Sequence, residues 1–128
     1  MRYCLLITCP PHSDNALNAL RFAEALVDSN HHIERIFFYG DGVWLANANA
    51  TPAQDLMNVE QAWSQFIDQH KLDSVVCITA ALRRGVLDQN ECERYGKPGA
   101  NLHSVHTLSG LGQLAEATQK CDRLVSFK

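Results

Sequence analysis

Ser74-Val75-Val76-Cys77-Ile78 runs straight into Thr79-Ala80-Ala81-Leu82-Arg83-Arg84-Gly85, and this junction decides the fold. The first five residues are a short apolar run, the pattern of a strand covered on both faces. The next seven read as a helical turn closed by a glycine stop. A buried strand feeding a helix is the repeating unit of a parallel sheet wrapped by helices.

The same alternation extends in both directions. Residues 3–8 are continuously apolar and end at Pro10-Pro11. Ser13 caps a helix in which Ala16, Leu17, Ala19, Leu20, Ala23, Leu26 and Val27 recur at helical spacing. Residues 33–39 form a second strand, and Gly40-Asp41-Gly42 turns the chain. Residues 43–50 read as an apolar loop and a candidate subunit surface, because contiguous apolar residues in a loop seldom face water without a reason. Thr51-Pro52-Ala53-Gln54 has the form of a capping box with proline at the first helical position, Asp55 being a competing cap. Leu56, Val59, Trp63, Phe66 and Ile67 carry that helix's stripe.

Beyond Cys77, Asp88-Gln89-Asn90-Glu91 opens a short helix that stops before Gly96-Lys97-Pro98-Gly99. Residues 102–108 hold a fourth strand, Ser109 caps a helix through Leu111, Leu114, Ala115 and Ala117, and residues 123–127 make the last strand. The expectation is an α/β fold: a single domain over residues 1–128, with a parallel β-sheet and helices on both faces in a three-layer, flavodoxin-like arrangement.

Bulk composition narrows the function classes. Hydrophobic residues are 46% and charged residues 20% of 128, enough for a core without staples. A net charge of −3 argues against strong binding to a phosphate backbone. Five cysteines, an odd count without a pairing ladder, suit a reducing compartment better than a disulfide scaffold. Leu6-Ile7-Thr8-Cys9 imitates a lipoprotein signal, but its apolar stretch falls short of a signal-peptide core of roughly 7–15 residues. No run is long enough to span a bilayer, and the reading places the protein in the cytoplasm.

Cys77 is the leading candidate for chemistry. A thiol where a strand gives way to a helix start is expected to be exposed at one tip. There the positive end of the helix dipole favours the nucleophilic thiolate. Such a thiolate can accept a sulfane sulfur and pass it on. Thr79 is expected to cap the helix, and Arg83 and Arg84 to add positive potential or dock an acidic partner. The plain alternative is that Cys77 is a small buried hydrophobe, as most free cysteines are. A further alternative is a cysteine phosphatase, since Cys77 and Arg83 have C-x5-R spacing. Such loops need glycine to wrap backbone N–H groups around phosphate, and Ile78-Thr79-Ala80-Ala81-Leu82 has none.

Other features carry less. Cys4, Cys9 and His12 suggest a metal cluster, but Cys4 and Cys9 have opposite parity on one strand, so no metal or cofactor is expected. His31, His32, His70 and His103 read as solvated or capping, while His106 is a candidate proton donor near the catalytic edge. Gly110-Leu111-Gly112 lacks the third glycine of a dinucleotide fingerprint. Trp44 and Trp63 read as core or subunit-contact residues, and Cys92 and Cys121 have no helix start to activate them.

Three stretches carry a resemblance: 77–86, from Cys77 to Val86; Thr107-Leu108-Ser109-Gly110-Leu111-Gly112-Gln113-Leu114-Ala115-Glu116-Ala117; and the ending Cys121-Asp122-Arg123-Leu124-Val125-Ser126-Phe127. Together with Phe37-Phe38-Tyr39-Gly40-Asp41-Gly42-Val43 they resemble the DsrE/DsrF-like sulfurtransferases from the first strand to the last residues. The resemblance implies a persulfide carrier with Cys77 as its sulfur-bearing residue, in a relay ending at the wobble uridine of tRNA. It also implies a heterohexamer with two smaller homologous subunits, TusB- and TusC-like, an upstream TusA-like donor and a downstream TusE-like acceptor. A non-catalytic assembly subunit stays open beside it. One departure is Cys9-Pro10, where the family leads one to expect Gly-Pro; Cys9 then stands at the same sheet edge as Cys77 and is a candidate resolving thiol.

Overall fold

In the computed structural model, which describes residues 1–128, the alternation closes into one sheet of five strands. The elements are β1 (Arg2–Ile7), α1 (Asp14–Asp28), β2 (His32–Phe38), a 3₁₀ helix (Gly40–Ala46), α2 (Val59–His70), β3 (Ser74–Cys77), α3 (Ile78–Arg83), α4 (Gln89–Tyr95), β4 (Thr107–Ser109), α5 (Gly112–Lys120) and β5 (Arg123–Phe127). Strand order is β4-β3-β2-β1-β5 and every pairing is parallel.

Side-chain parity shows how helices cover both faces. Cys4 of β1 lies opposite Arg35 of β2. The Cys4 thiol donates to Ala117 O at 3.2 Å and Arg35 Nη1 to Gln113 O at 2.8 Å, so this face meets α5. Leu5 points the other way, into the main core with Ala16, Ala19, Leu20 and Ala23 of α1. There Trp63 of α2 donates its indole N–H to Ala16 O at 3.1 Å and meets Phe38 edge-on at 5.6 Å. The hydrogen bond lets the largest core side chain be wholly buried with its polar atom satisfied. The α/β parallel sheet with helices is as expected.

Local boundaries differ in four places. The fourth strand, expected over residues 102–108, is confined to Thr107–Ser109, the length over which it pairs with β3. Residues 51–57 are not helical; α2 starts at Val59, where Asn58 accepts from Gln61 N at 3.0 Å. The helix begins where its buried stripe begins, since Leu56 and Met57 are exposed and give no packing to hold an earlier turn. Ser109 does not cap α5, because it is held in β4 opposite Cys77. Residues 43–50 are not an apolar surface either. Val43, Leu45 and Ala46 are fully buried on the 3₁₀ helix, which removes the reason for a subunit contact there.

The 3₁₀ helix fixes the geometry of the site. It folds back over the carboxyl ends of the strands, placing Gly42 where a Cβ would run into Ile7 O of β1 and Thr8 Cα just past its end. A side chain has no room at that crossing. Asp41, next to it, accepts two hydrogen-bond-length contacts from the Arg84 guanidinium at 3.0 and 3.1 Å.

Candidate active site

Cys77 is the last residue of β3 and the residue from which α3 starts. All four β3 residues are buried, because β3 lies between β2 and β4 in the sheet while the 3₁₀ helix and α3 close over its end. Cys77 is consequently 1% exposed, not open at one tip as its position suggested. Its sulfur makes one polar contact, to Thr79 Oγ1 at 3.4 Å. Thr79 is the second residue of α3 rather than its cap, so its expected role changes: it stands over the sulfur instead of starting the helix.

Thr79 is exposed, and it lines a cleft of about 280 Å³ with Tyr39, Gly40, Ala80, Arg83 and Arg84. The thiol therefore lies one side chain beneath the floor of this cleft. Arg84 is engaged: besides Asp41, it donates from Nη1 to Ala80 O at 3.1 Å. Arg83 is exposed and forms neither an ion pair nor a side-chain hydrogen bond.

The C-x5-R spacing does not make a phosphate loop. The residues between Cys77 and Arg83 are already helical from Ile78 onward. Six helical residues carry Arg83 about 9 Å along the axis, and no loop is left to wrap an anion above the sulfur.

Other candidates fall away from the site. Burial lowers the His106 imidazole from its ordinary value to about 3, with His103 adding to the effect. It is thus neutral near pH 7, and it lies 2.7 Å from Ser74 Oγ at the opposite end of β3 from Cys77. A proton-donor role at the sulfur is excluded by roughly 10 Å of strand. Cys9 ends beyond β1, separated from β3 by β2, about 9–10 Å at the usual strand spacing. It is 1% exposed, and burial pushes its thiol up. Burial and the neighbouring Cys121 push the Cys4 thiol up to about 12. Cys92 is buried in α4, and Cys121 alone of the five is partly open.

The Arg84–Asp41 clasp and the 3₁₀ roof were missed from sequence. The Gly-Asp-Gly at 40–42 was their only trace: a glycine that permits close crossing, beside an acid that reaches a distant arginine.

Comparison with known proteins agrees with this architecture. The model of the DsrE/DsrF-like family matches residues 1–127. A protein of Pseudomonas aeruginosa named sulfurtransferase TusD homolog is 53% identical over 127 residues, covering 99% of this chain and 97% of that one. Sulfurtransferase TusD of Cronobacter sakazakii is 46% identical over 128 residues, covering 99% and 100%. The crystal structure of the ychN protein from E. coli superposes with a TM-score of 0.73 at 21% identity, covering 99% and 100%, and so shares the fold. With the match running through nearly every residue, this chain belongs to the DsrE/DsrF-like family.

Proposed function

We propose that this chain is a sulfurtransferase subunit that carries sulfur as a persulfide on Cys77, within a relay serving 2-thiolation of the tRNA wobble uridine. The observation that carries the reading is near-full-length identity of 46–53% to proteins named sulfurtransferase TusD. Cys77 is supported by its place at a strand end roofed by a cleft. Partners on this reading are TusB- and TusC-like subunits in a heterohexamer, a TusA-like donor and a TusE-like acceptor. No helix is long and apolar enough to cross a membrane. The five free thiols fit a reducing compartment such as the cytoplasm.

The chemistry is two successive displacements at sulfur. The Cys77 thiolate attacks the outer sulfur of the donor persulfide; a new S–S bond forms, and the donor leaves as its thiolate. An acceptor thiolate then attacks the outer sulfur on Cys77, which returns to thiolate. No net oxidation occurs. Because the sulfur starts beneath Thr79, the first turn of α3 and the 3₁₀ roof must part before either attack.

The test is peptide mass mapping after incubation with a persulfide donor. One added sulfur atom is expected on Cys77, and Cys77→Ser is expected to abolish it together with tRNA thiolation in cells. Added sulfur on Cys9, Cys92 or Cys121 alone overturns the assignment, as does full thiolation by the Cys77→Ser protein.

A further inference from the structure

We infer that the groove between α3 and α4 docks an acidic, extended segment of the protein that exchanges sulfur with Cys77. The inference rests on the persulfide reading of that residue and adds the chemistry of the partner.

The groove is the larger neighbour of the cleft above the thiol, about 780 Å³ against about 280 Å³. Leu82, Leu87, Tyr95 and Pro98 give it an apolar lining, and Arg83 and Lys97 stand in it as cations. No carboxylate lines it. Of the nine Lys and Arg residues outside the groove, Arg2, Arg35, Lys71, Arg84, Arg94 and Lys120 each face an acidic partner within 4.0 Å, and Arg21, Arg123 and Lys128 stand unpaired away from it. Arg83 and Lys97 face none. On a chain of net charge −3, two uncompensated cations in one groove select an anionic guest locally.

Geometry ties this groove to the thiol. Arg83 lines both the groove and the cleft, so a segment lying along α4 past Lys97 reaches Thr79 by way of Arg83. Tyr95 is 54% exposed on an otherwise polar helix, a large ring without a partner. An acidic peptide with apolar side chains satisfies both features: carboxylates meet Arg83 and Lys97, and a leucine or aromatic side chain covers Tyr95 and Leu82. Two cations are too few to track a polynucleotide backbone, so a protein segment is the better fit.

The probe is a fluorescein-labelled peptide rich in glutamate and leucine that ends in cysteine, read by fluorescence anisotropy. Arg83→Glu and Lys97→Glu are each expected to weaken binding about threefold, and the pair about tenfold. The double variant is expected to bind a lysine-for-glutamate version of the peptide better than the original chain does, which also shows that it folds. Lys71→Glu, a change of equal charge outside the groove, is expected to have no effect. Equal affinity of the double variant for the acidic peptide overturns the inference. So does binding of a tRNA transcript, but not of the peptide, with the same dependence on Arg83 and Lys97. Loading of unsubstituted protein by inorganic polysulfide is read in parallel. Sulfur on Cys77 with no groove dependence overturns the groove alone, whereas groove-dependent peptide binding with no sulfur on Cys77 overturns the persulfide reading alone.

Discussion

Gly42→Ala tests how the roof over Cys77 is held. A Cβ at this position would stand 2.1 Å from Ile7 O, 2.8 Å from Ile7 C and 3.2 Å from Thr8 Cα. All three atoms are backbone, and Ile7 O already accepts Tyr39 N–H at 3.0 Å, so β1 cannot yield without losing that bond. The 3₁₀ helix must instead retreat by about 1 Å to reach the 3.0 Å floor of real contacts. Overpacking of this kind costs about 1–3 kcal/mol, and a backbone obstacle puts it at the upper end. For a chain of this size that is a melting temperature lower by roughly 10 °C. Gly40→Ala is the control: nothing lies within 4 Å of its Cβ, and only the left-handed φ of +56° opposes it, at about 1 kcal/mol. Thermal melts of both variants, with the rate of Cys77 alkylation in the native state, make the assay. Gly42→Ala is expected to melt well below Gly40→Ala and to alkylate faster at Cys77. A Gly42→Ala protein as stable as the control refutes the steric reasoning, and unaltered Cys77 labelling refutes the placing of this helix over the thiol.

Three further expectations follow from burial. His106 titrates near 6.5 when unfolded and near 3 when folded, so the unfolded chain binds the extra proton between those values. Its stabilisation is complete above about pH 6.5 and is lost as pH falls toward 3, by about 1.4 kcal/mol per pH unit. Urea unfolding at about pH 7 and about pH 5 should differ by about 2 kcal/mol from this group, and a Ser74→Ala/His106→Phe double variant should flatten the dependence. Brief iodoacetamide treatment at neutral pH should label Cys121 first among the five thiols, because the other four are buried; rapid labelling of Cys4 in peptide maps would contradict its burial. Trp63→Phe removes the indole donor from Ala16 O and should cost about 1–3 kcal/mol in equilibrium unfolding; a loss under about 0.5 kcal/mol would show the bond to be dispensable.

The sheet was legible where strands are short apolar runs, as in β1, β2 and β3, and where helices bury a stripe at fixed spacing, as in α1 and α2; α5 buries only Ala117, with Leu111 and Ala115 exposed. Ser13 and Asp88 cap where their side chains predict. What failed depended on contacts far along the chain. The capping box at 51–54 is sound locally, yet no core residue precedes Val59 to reward a helix there. Ser109 has the side chain of a cap, but its pairing with Cys77 claims its backbone for the sheet. The apolar residues of 43–50 looked like a loop surface because their covering, β1 and α3, lies tens of residues away in sequence. The burial of Cys77, expected only on the plain alternative, is hidden from its local sequence for the same reason. Its neighbours in sequence say strand end, whereas its neighbours in space, Gly40 and Thr79 around the cleft, say covered.

The placing of β1 between β2 and β5 bears on how the chain is born. β1 is made first, yet one of its two rims is completed only by residues 123–127, with Asp122 N–H on Arg2 O and Thr8 N–H on Phe127 O closing the seam. While the residues between β1 and β5 are being added, a nascent chain therefore carries a bare, apolar strand edge, a template for mispairing with a neighbour on the same messenger. A pause anywhere between β1 and residue 123 should prolong that hazard, most severely before β2 when both rims are open, and a chaperone that shields Arg2–Ile7 would serve this protein until β5 arrives.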